Sequence, residues 1–309
     1  MFYPQKLCQE FLKIVFLIAM IICIQLIGVE KGSTISNEKP IVIVIPSYNN
    51  FNWFQWNLNS ILMQKYNNYR VIYVNDCSSD GMGAAVEKFV RENVPDYRIV
   101  NFDDSISNDI NTITLEFILE VNKTPNFFIL VQNKNRSGAL ANLYRSIYSC
   151  DDEEIIATVD GDDWLYDHEV LKRLNEAYSS GEIWLTHGTL VHYPKGDVSW
   201  SEPVPRDIIT RNAFRNYKCP SHLRTFYAWL FKKIRLQDLV YEGKFYPMTW
   251  DMAMMYPMIE MAGERHKFLS QVNYVYNTAN QLNDNKVNAA LQNKLDKHIR
   301  GLTPYQRIQ

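Results

Sequence analysis

Residues 41–45 read Ile-Val-Ile-Val-Ile, five β-branched residues with no polar position among them. A strand with one wet face alternates apolar and polar residues. An unbroken apolar run fits a strand covered on both faces, as in a parallel sheet. Parallel neighbours need crossover connections, usually helical. The chain supplies that rhythm. After the first strand we expect a helix over Asn52–Met63, a strand in YRVIYVND (69–76), a helix over Ala84–Arg91 and a strand in YRIVNF (97–102). A helix over Thr114–Val121 follows, inside an insertion of about Asp104–Pro125. Then come a strand in FFILVQN (127–133), a helix over Leu140–Tyr148 and a strand over Ile155–Val159. The class is α/β with a Rossmann-like, mostly parallel sheet.

The pattern loosens after a helix at His168–Tyr178. A long strand is expected in EIWLTHGTLVHY (182–193) and a proline-bearing loop in SWSEPVPRD (199–207). Helices are expected at Ser221–Ile234 and Trp250–Met261, a late strand in FLSQVNYVYN (268–277), and a polar, partly helical tail from Asn283.

Composition narrows the partners. Lys and Arg number 32 against 34 Asp and Glu, so no basic excess points to nucleic acid. The five cysteines, Cys8, Cys23, Cys77, Cys150 and Cys219, show no metal or disulfide spacing and are expected as buried free thiols. Ile14–Val29 is apolar except for Gln25 and Gly28, and extends towards the roughly 20 residues of a membrane span if counted from Phe11. We read residues 1–30 as an N-terminal anchor in preference to a cleaved signal segment, and 31–40 as a linker. The protein is then membrane-associated through that segment, with weak flanking charge to set its side.

Ligands of open α/β sheets bind beyond the carboxyl ends of the strands. Three such ends are chemically loaded here: PSYNN (46–50), NDCSSDG (75–81) and DGDDW (160–164). Carboxylates packed into one tight turn repel unless a cation is held there. Oxygen ligands of this kind hold Mg²⁺ or Mn²⁺, commonly together with substrate phosphates. The plain alternative is a solvated turn. An EF-hand is excluded by the missing closing Glu.

Taken with NRSGALAN (135–142), these segments resemble glycosyltransferase family 2, enzymes of the GT-A fold. The resemblance covers about residues 40–190. It departs from the family pattern where Asn75 replaces the first Asp of the DD turn and Ala141 replaces an Arg. It implies an inverting transfer from a nucleotide-sugar, with a UDP-sugar the leading expectation, to a carbohydrate, polypeptide or lipid-linked acceptor. By the same resemblance Pro46, Tyr48, Asp76, Asn135 and Asp160 bind the nucleotide, Asp76 through its base. Asp162 holds a divalent metal, Mn²⁺ or Mg²⁺. Asp163 and Trp164 face donor sugar or acceptor, as would His222 and Trp250, and Asp251 is the catalytic base. Residues 41–190 would form the nucleotide-sugar half of a 41–309 catalytic domain, 191–282 the acceptor half and 283–309 a tail.

Competing readings stay open. Asp251 could merely cap a helix. His222 could be a helix-start residue, and His187 and His192 read as structural. The aromatic residues Trp164, Trp200, Trp229 and Trp250 suit several acceptor types. A sugar-phosphate nucleotidyltransferase would want a glycine-rich basic loop after the first strand, which PSYNNFNWF lacks. A catalytically degenerate sugar- or nucleotide-binding relative is the other alternative, given Asn75, Ala141 and Trp250.

Overall fold

A computed structural model describes residues 38–199, 201–282 and 284–309. The expected anchor, most of the linker, Cys8, Cys23 and Trp200 lie outside the described residues. Among the described residues no helix is long and apolar enough to cross a membrane.

The β-branched run forms β1 (Ile41–Ser47), buried along its whole length. Eight more strands join it: β2 (Tyr69–Asn75), β3 (Tyr97–Phe102), β4 (Phe128–Asn133), β5 (Ile155–Thr158), β6 (Trp164–Leu165), β7 (Leu185–Tyr193), β8 (Arg224–Tyr227) and β9 (His266–Asn277). Their order across the sheet is β3-β4-β2-β1-β5-β8-β7-β9-β6. The first five are parallel, with Ile41 level with both Tyr69 and Ile155. Beyond β5 the sheet is mixed: β8 runs antiparallel to β5 and β7, β9 parallel to β7, and β6 antiparallel to β9. The expected α/β class is therefore observed, and the mostly parallel part is the half expected to take the nucleotide-sugar. β7 crosses the boundary drawn at 190, and one sheet carries both halves.

The helices that cover the sheet include α1 (Phe54–Leu62), α2 (Met82–Asn93), α3 (Ile110–Val121), α4 (Ala139–Tyr148), α5 (Val170–Tyr178), α6 (Trp250–Ala262) and α7 (Ala289–Gly301). Two apolar cores result, one on each face. The α1, α2 and α5 side chains meet Ile41, Ile43 and Ile45, while α3, α4 and α6 meet Val42 and Val44. Alternate residues of β1 thus point into different cores, and both must be apolar. α6 is buried from Met252 to Ala262 and holds Glu260, wholly enclosed, in a two-point contact with Arg215 at 2.6 and 3.0 Å.

Two expectations need correction. Ser221–Ile234 is not one helix: residues 224–227 form β8, and only Ala228–Lys232 is helical. The spacing of Phe226, Trp229 and Leu230 imitated a helical face. The slot between β5 and β7 selects a strand, and Thr225 completes it by hydrogen bonding to Thr186 at 2.6 Å and Tyr178 at 2.9 Å. The described cysteines are not uniformly buried either: Cys77 is exposed, Cys219 half-buried and Cys150 enclosed.

Candidate active site

The chain leaves β5 and turns through Asp160, Gly161, Asp162 and Asp163 directly against the end of β1. The Gly161 amide donates to the Pro46 carbonyl at 3.2 Å. A Cβ on Gly161 would lie 2.1 Å from Ser47 Oγ and 2.4 Å from Ser47 Cβ, so the turn closes only on a glycine. From α1, the buried Asn57 amide donates to the carbonyls of Asp160 at 3.0 Å and Asp163 at 2.7 Å.

The carboxylates of the turn differ in role. Asp163, expected to face sugar or acceptor, is only 1% exposed. It accepts the Tyr274 hydroxyl at 2.8 Å and the Asn277 amide at 2.7 Å, and so ties the turn to β9 instead. Burial raises its carboxyl well above the usual range, and the charges of Asp162 and Asp160 raise it further. Asp162 accepts the side-chain amide of Asn280 at 2.7 Å. Desolvation raises its carboxyl too. No Lys, Arg or His among the described residues pairs with Asp162. Asp160 donates its backbone amide to Tyr274 Oη at 3.0 Å, and its charge helps to raise the Arg224 guanidinium.

This set fits part of a divalent cation's shell. It offers anionic oxygen ligands, and Asp162 has only a neutral amide as side-chain partner. No cluster of three or more His, Cys, Asp or Glu among the described residues is arranged to enclose a metal alone.

Beside the turn, the segments that follow β1 and β2 are stitched together. Asn49 donates its amide to Ser78 Oγ at 2.9 Å and accepts from Ser79 at 2.8 Å, while Phe51 donates to Asp80 at 2.9 Å. Tyr48 lies beneath the Arg136 guanidinium, 3.9 Å from the ring centroid, in a cation–π contact at the rim. Asp76 was expected to meet the base. Its carboxylate is buried and accepts Asn133 at 3.0 Å and the amides of Ser137 and Gly138, each at 2.9 Å. It fixes the loop entering α4, where Gly138 takes a φ of +89°. Asn135 is exposed and donates to Asp104 at 3.1 Å, so it binds the insertion rather than facing the turn. Asn75, standing where the family carries Asp, donates to Gln132 at 2.6 Å.

Across the sheet, Asp251 opens α6 with its side chain 29% exposed. It does not cap. Its carboxylate accepts Arg224 Nη2 at 2.7 Å, and the buried guanidinium also donates to the Pro220 carbonyl at 3.0 Å. His222 is buried, stacked on Tyr274 at 4.5 Å with its Nδ1 3.3 Å from Arg224. Burial and the Arg224 charge push its imidazole well below the usual range, so it stays neutral. It does not open a helix. Trp250 packs beside the core. Trp164 is 9% exposed and meets Trp56 and Tyr193 with centroids 5.3 and 5.2 Å apart. His187 stacks on His266 and His192 pairs with Asp197 at 3.0 Å, structural positions in both cases. Asn57, Tyr274, Asn277 and Asn280 were not singled out from sequence. Isolated amides in unpatterned segments carry no local signal.

The family model described as glycosyl transferase family 2 matches residues 42–105. Among curated proteins no sequence match was found. Solved structures similar in fold include two that carry a nucleotide or nucleotide-sugar. One is Staphylococcus aureus TarS 1–349 in complex with UDP: 15% identity, TM-score 0.52, 77% of this chain and 60% of that one. The other is the Pyrobaculum calidifontis mannosyltransferase PcManGT in complex with GDP-Man and Mn²⁺: 15% identity, TM-score 0.53, 87% of this chain and 66% of that one. The chain thus spans about three fifths of the first relative's length. The shared fold is GT-A, and the resemblance to glycosyltransferase family 2 read from the motifs is upheld.

Proposed function

We propose that this chain transfers a sugar from a nucleotide-sugar, with a UDP-sugar the first choice, to an acceptor hydroxyl with inversion. The observation that carries this reading is the acid turn. It hangs on the carbonyl of Pro46, at the mouth of the parallel strands, and leaves Asp162 without a cationic partner among the described residues. Asp162, with Asp160 beside it, would hold a divalent cation together with the donor diphosphate. Such an ion supplies Lewis acidity that stabilises the charge left on the departing diphosphate. The two fold relatives crystallised with UDP and with GDP-Man and Mn²⁺ support the same donor class.

In this scheme the residues of the chain divide the work. Tyr48 and Arg136 form the rim over which the nucleotide lies. Asp251, partly exposed on the far side of β5, accepts the acceptor's proton as its oxygen attacks the anomeric carbon. Arg224 is a positioning residue: it fixes the Asp251 carboxylate at 2.7 Å.

The test is metal-dependent donor hydrolysis across a set of nucleotide-sugars, with Asp162→Asn as control. We expect hydrolysis of one donor with Mn²⁺ and its loss in Asp162→Asn, with the fold kept because a partly exposed isosteric change costs little. Full turnover in excess chelator would remove the metal from the scheme. Retention of anomeric configuration would remove the single displacement.

A further inference from the structure

A cavity of about 500 Å³ lies outside the acid turn, between α1 and the edge strand β6. Its size falls within the roughly 300–1,000 Å³ usual for small-ligand sites. Trp56 and Trp164 line it, and Asn59, Gln55 and His168 stand on its walls. Trp56 is 53% exposed, an unusual cost for an indole with core available nearby. Its ring packs against Trp164 at 5.3 Å and Tyr193 at 6.0 Å, so its position is fixed. The polar wall is free to bind. Gln55 and Asn59 are exposed and make no side-chain hydrogen bond among the described residues.

This combination matches the chemistry of one ligand class. A pyranose presents a face of C–H groups, which lies on an aromatic plane, and an equator of hydroxyls, which amides satisfy as donor and acceptor together. An apolar peptide or acyl chain would leave the amides unmatched, and a phosphate would want Lys or Arg, which do not line the cavity, and would meet the Asp167 carboxylate. Two of the cavity's elements are tied to the acid turn. Trp164 directly follows Asp163, and Asn57, on the same helix as Trp56, grips the turn's carbonyls.

We propose that the cavity between α1 and β6 binds a neutral saccharide ring, with Trp56 as its platform and Asn59 and Gln55 as its hydrogen-bonding partners. Naming that saccharide as part of the acceptor rests on the transferase reading; the binding itself does not.

Full-length protein in detergent would be titrated with three tetrasaccharides: cellotetraose, chitotetraose and α-1,6-mannotetraose. Saturation-transfer NMR and tryptophan fluorescence report binding. At least one should bind, and Trp56→Ala should weaken it at least tenfold, while Trp56→Phe recovers part of the loss. Asn59→Ala should weaken it severalfold. Folding of each variant is checked by near-UV circular dichroism. Binding that persists unchanged in folded Trp56→Ala overturns the proposal, as does the absence of binding by all three. Capture of an apolar hexapeptide in the cavity with none of the sugars bound overturns it in favour of a protein partner. Donor hydrolysis by the wild-type protein is measured alongside. Hydrolysis without saccharide binding sinks this site and leaves the transferase reading. Saccharide binding through Trp56 without hydrolysis does the reverse.

Discussion

Asp251 is held by a single strong contact, and its chemistry can be separated from its structural role. Asp251→Asn keeps the shape and can still meet Arg224 through its amide oxygen, but it cannot take a proton. We expect kcat to fall by about 10²- to 10⁴-fold with donor affinity nearly unchanged, measured by single-turnover kinetics and calorimetry. A variant that turns over normally would send the search for the base elsewhere. Gly161 gives a prediction of the opposite kind. Gly161→Ala places a methyl against Ser47, and the turn must open to admit it. We expect a loss of about 1–3 kcal/mol in denaturant unfolding and weaker Mn²⁺ binding, both partly restored by adding Ser47→Gly. Asp160-Gly161-Asp162 was legible as a candidate site because several acids in one turn require an explanation. Asp163 was misjudged from the same run of letters. Sequence does not reveal that one of three neighbouring carboxylates points inward to a tyrosine 111 residues away.

The elements were legible where local pattern and tertiary context agree. β1 could be read because a five-residue β-branched run has one comfortable home. β8 could not, because Arg224–Tyr227 takes its structure from the strands on either side. The loop into α4 shows the same dependence. It is organised by Asp76, which lies at the end of β2 and gives up three hydrogen bonds if removed. Asp76→Ala leaves two amides and a buried Asn without their acceptor. We expect at least about 2 kcal/mol of destabilisation, with amide exchange speeding up first at 137–140. Unchanged stability with selectively lost donor binding would instead return Asp76 to direct contact with the nucleotide.

The whole molecule carries a buried imidazole whose titration opposes folding. His187 is pushed down to about 3 by burial and by the His266 and Arg224 charges nearby. Its unfolded value is near 6.5. Between these limits the unfolded chain binds the proton and the native chain does not. Stability is therefore full above about pH 6.5 and is lost as pH falls towards 3, at up to about 1.4 kcal/mol per unit for this group. The neutral His222 adds a loss of the same sign. Urea titrations from pH 7.5 to 4.5 should show that slope, and His187→Asn should flatten it. A slope unchanged in that variant would place the acid sensitivity in other groups.

Asn280 reaches Asp162 across 118 positions of sequence. Along a growing chain this sets an order in time. The acid turn leaves the ribosome early, with its carboxylates crowded and their amide and hydroxyl partners at 274–280 not yet made. Nascent chains and fragments ending before Tyr274 carry the whole motif but lack its clamp, so the motif alone does not make the site. Late completion also withholds the finished turn from the chain until Asn280 has been synthesised.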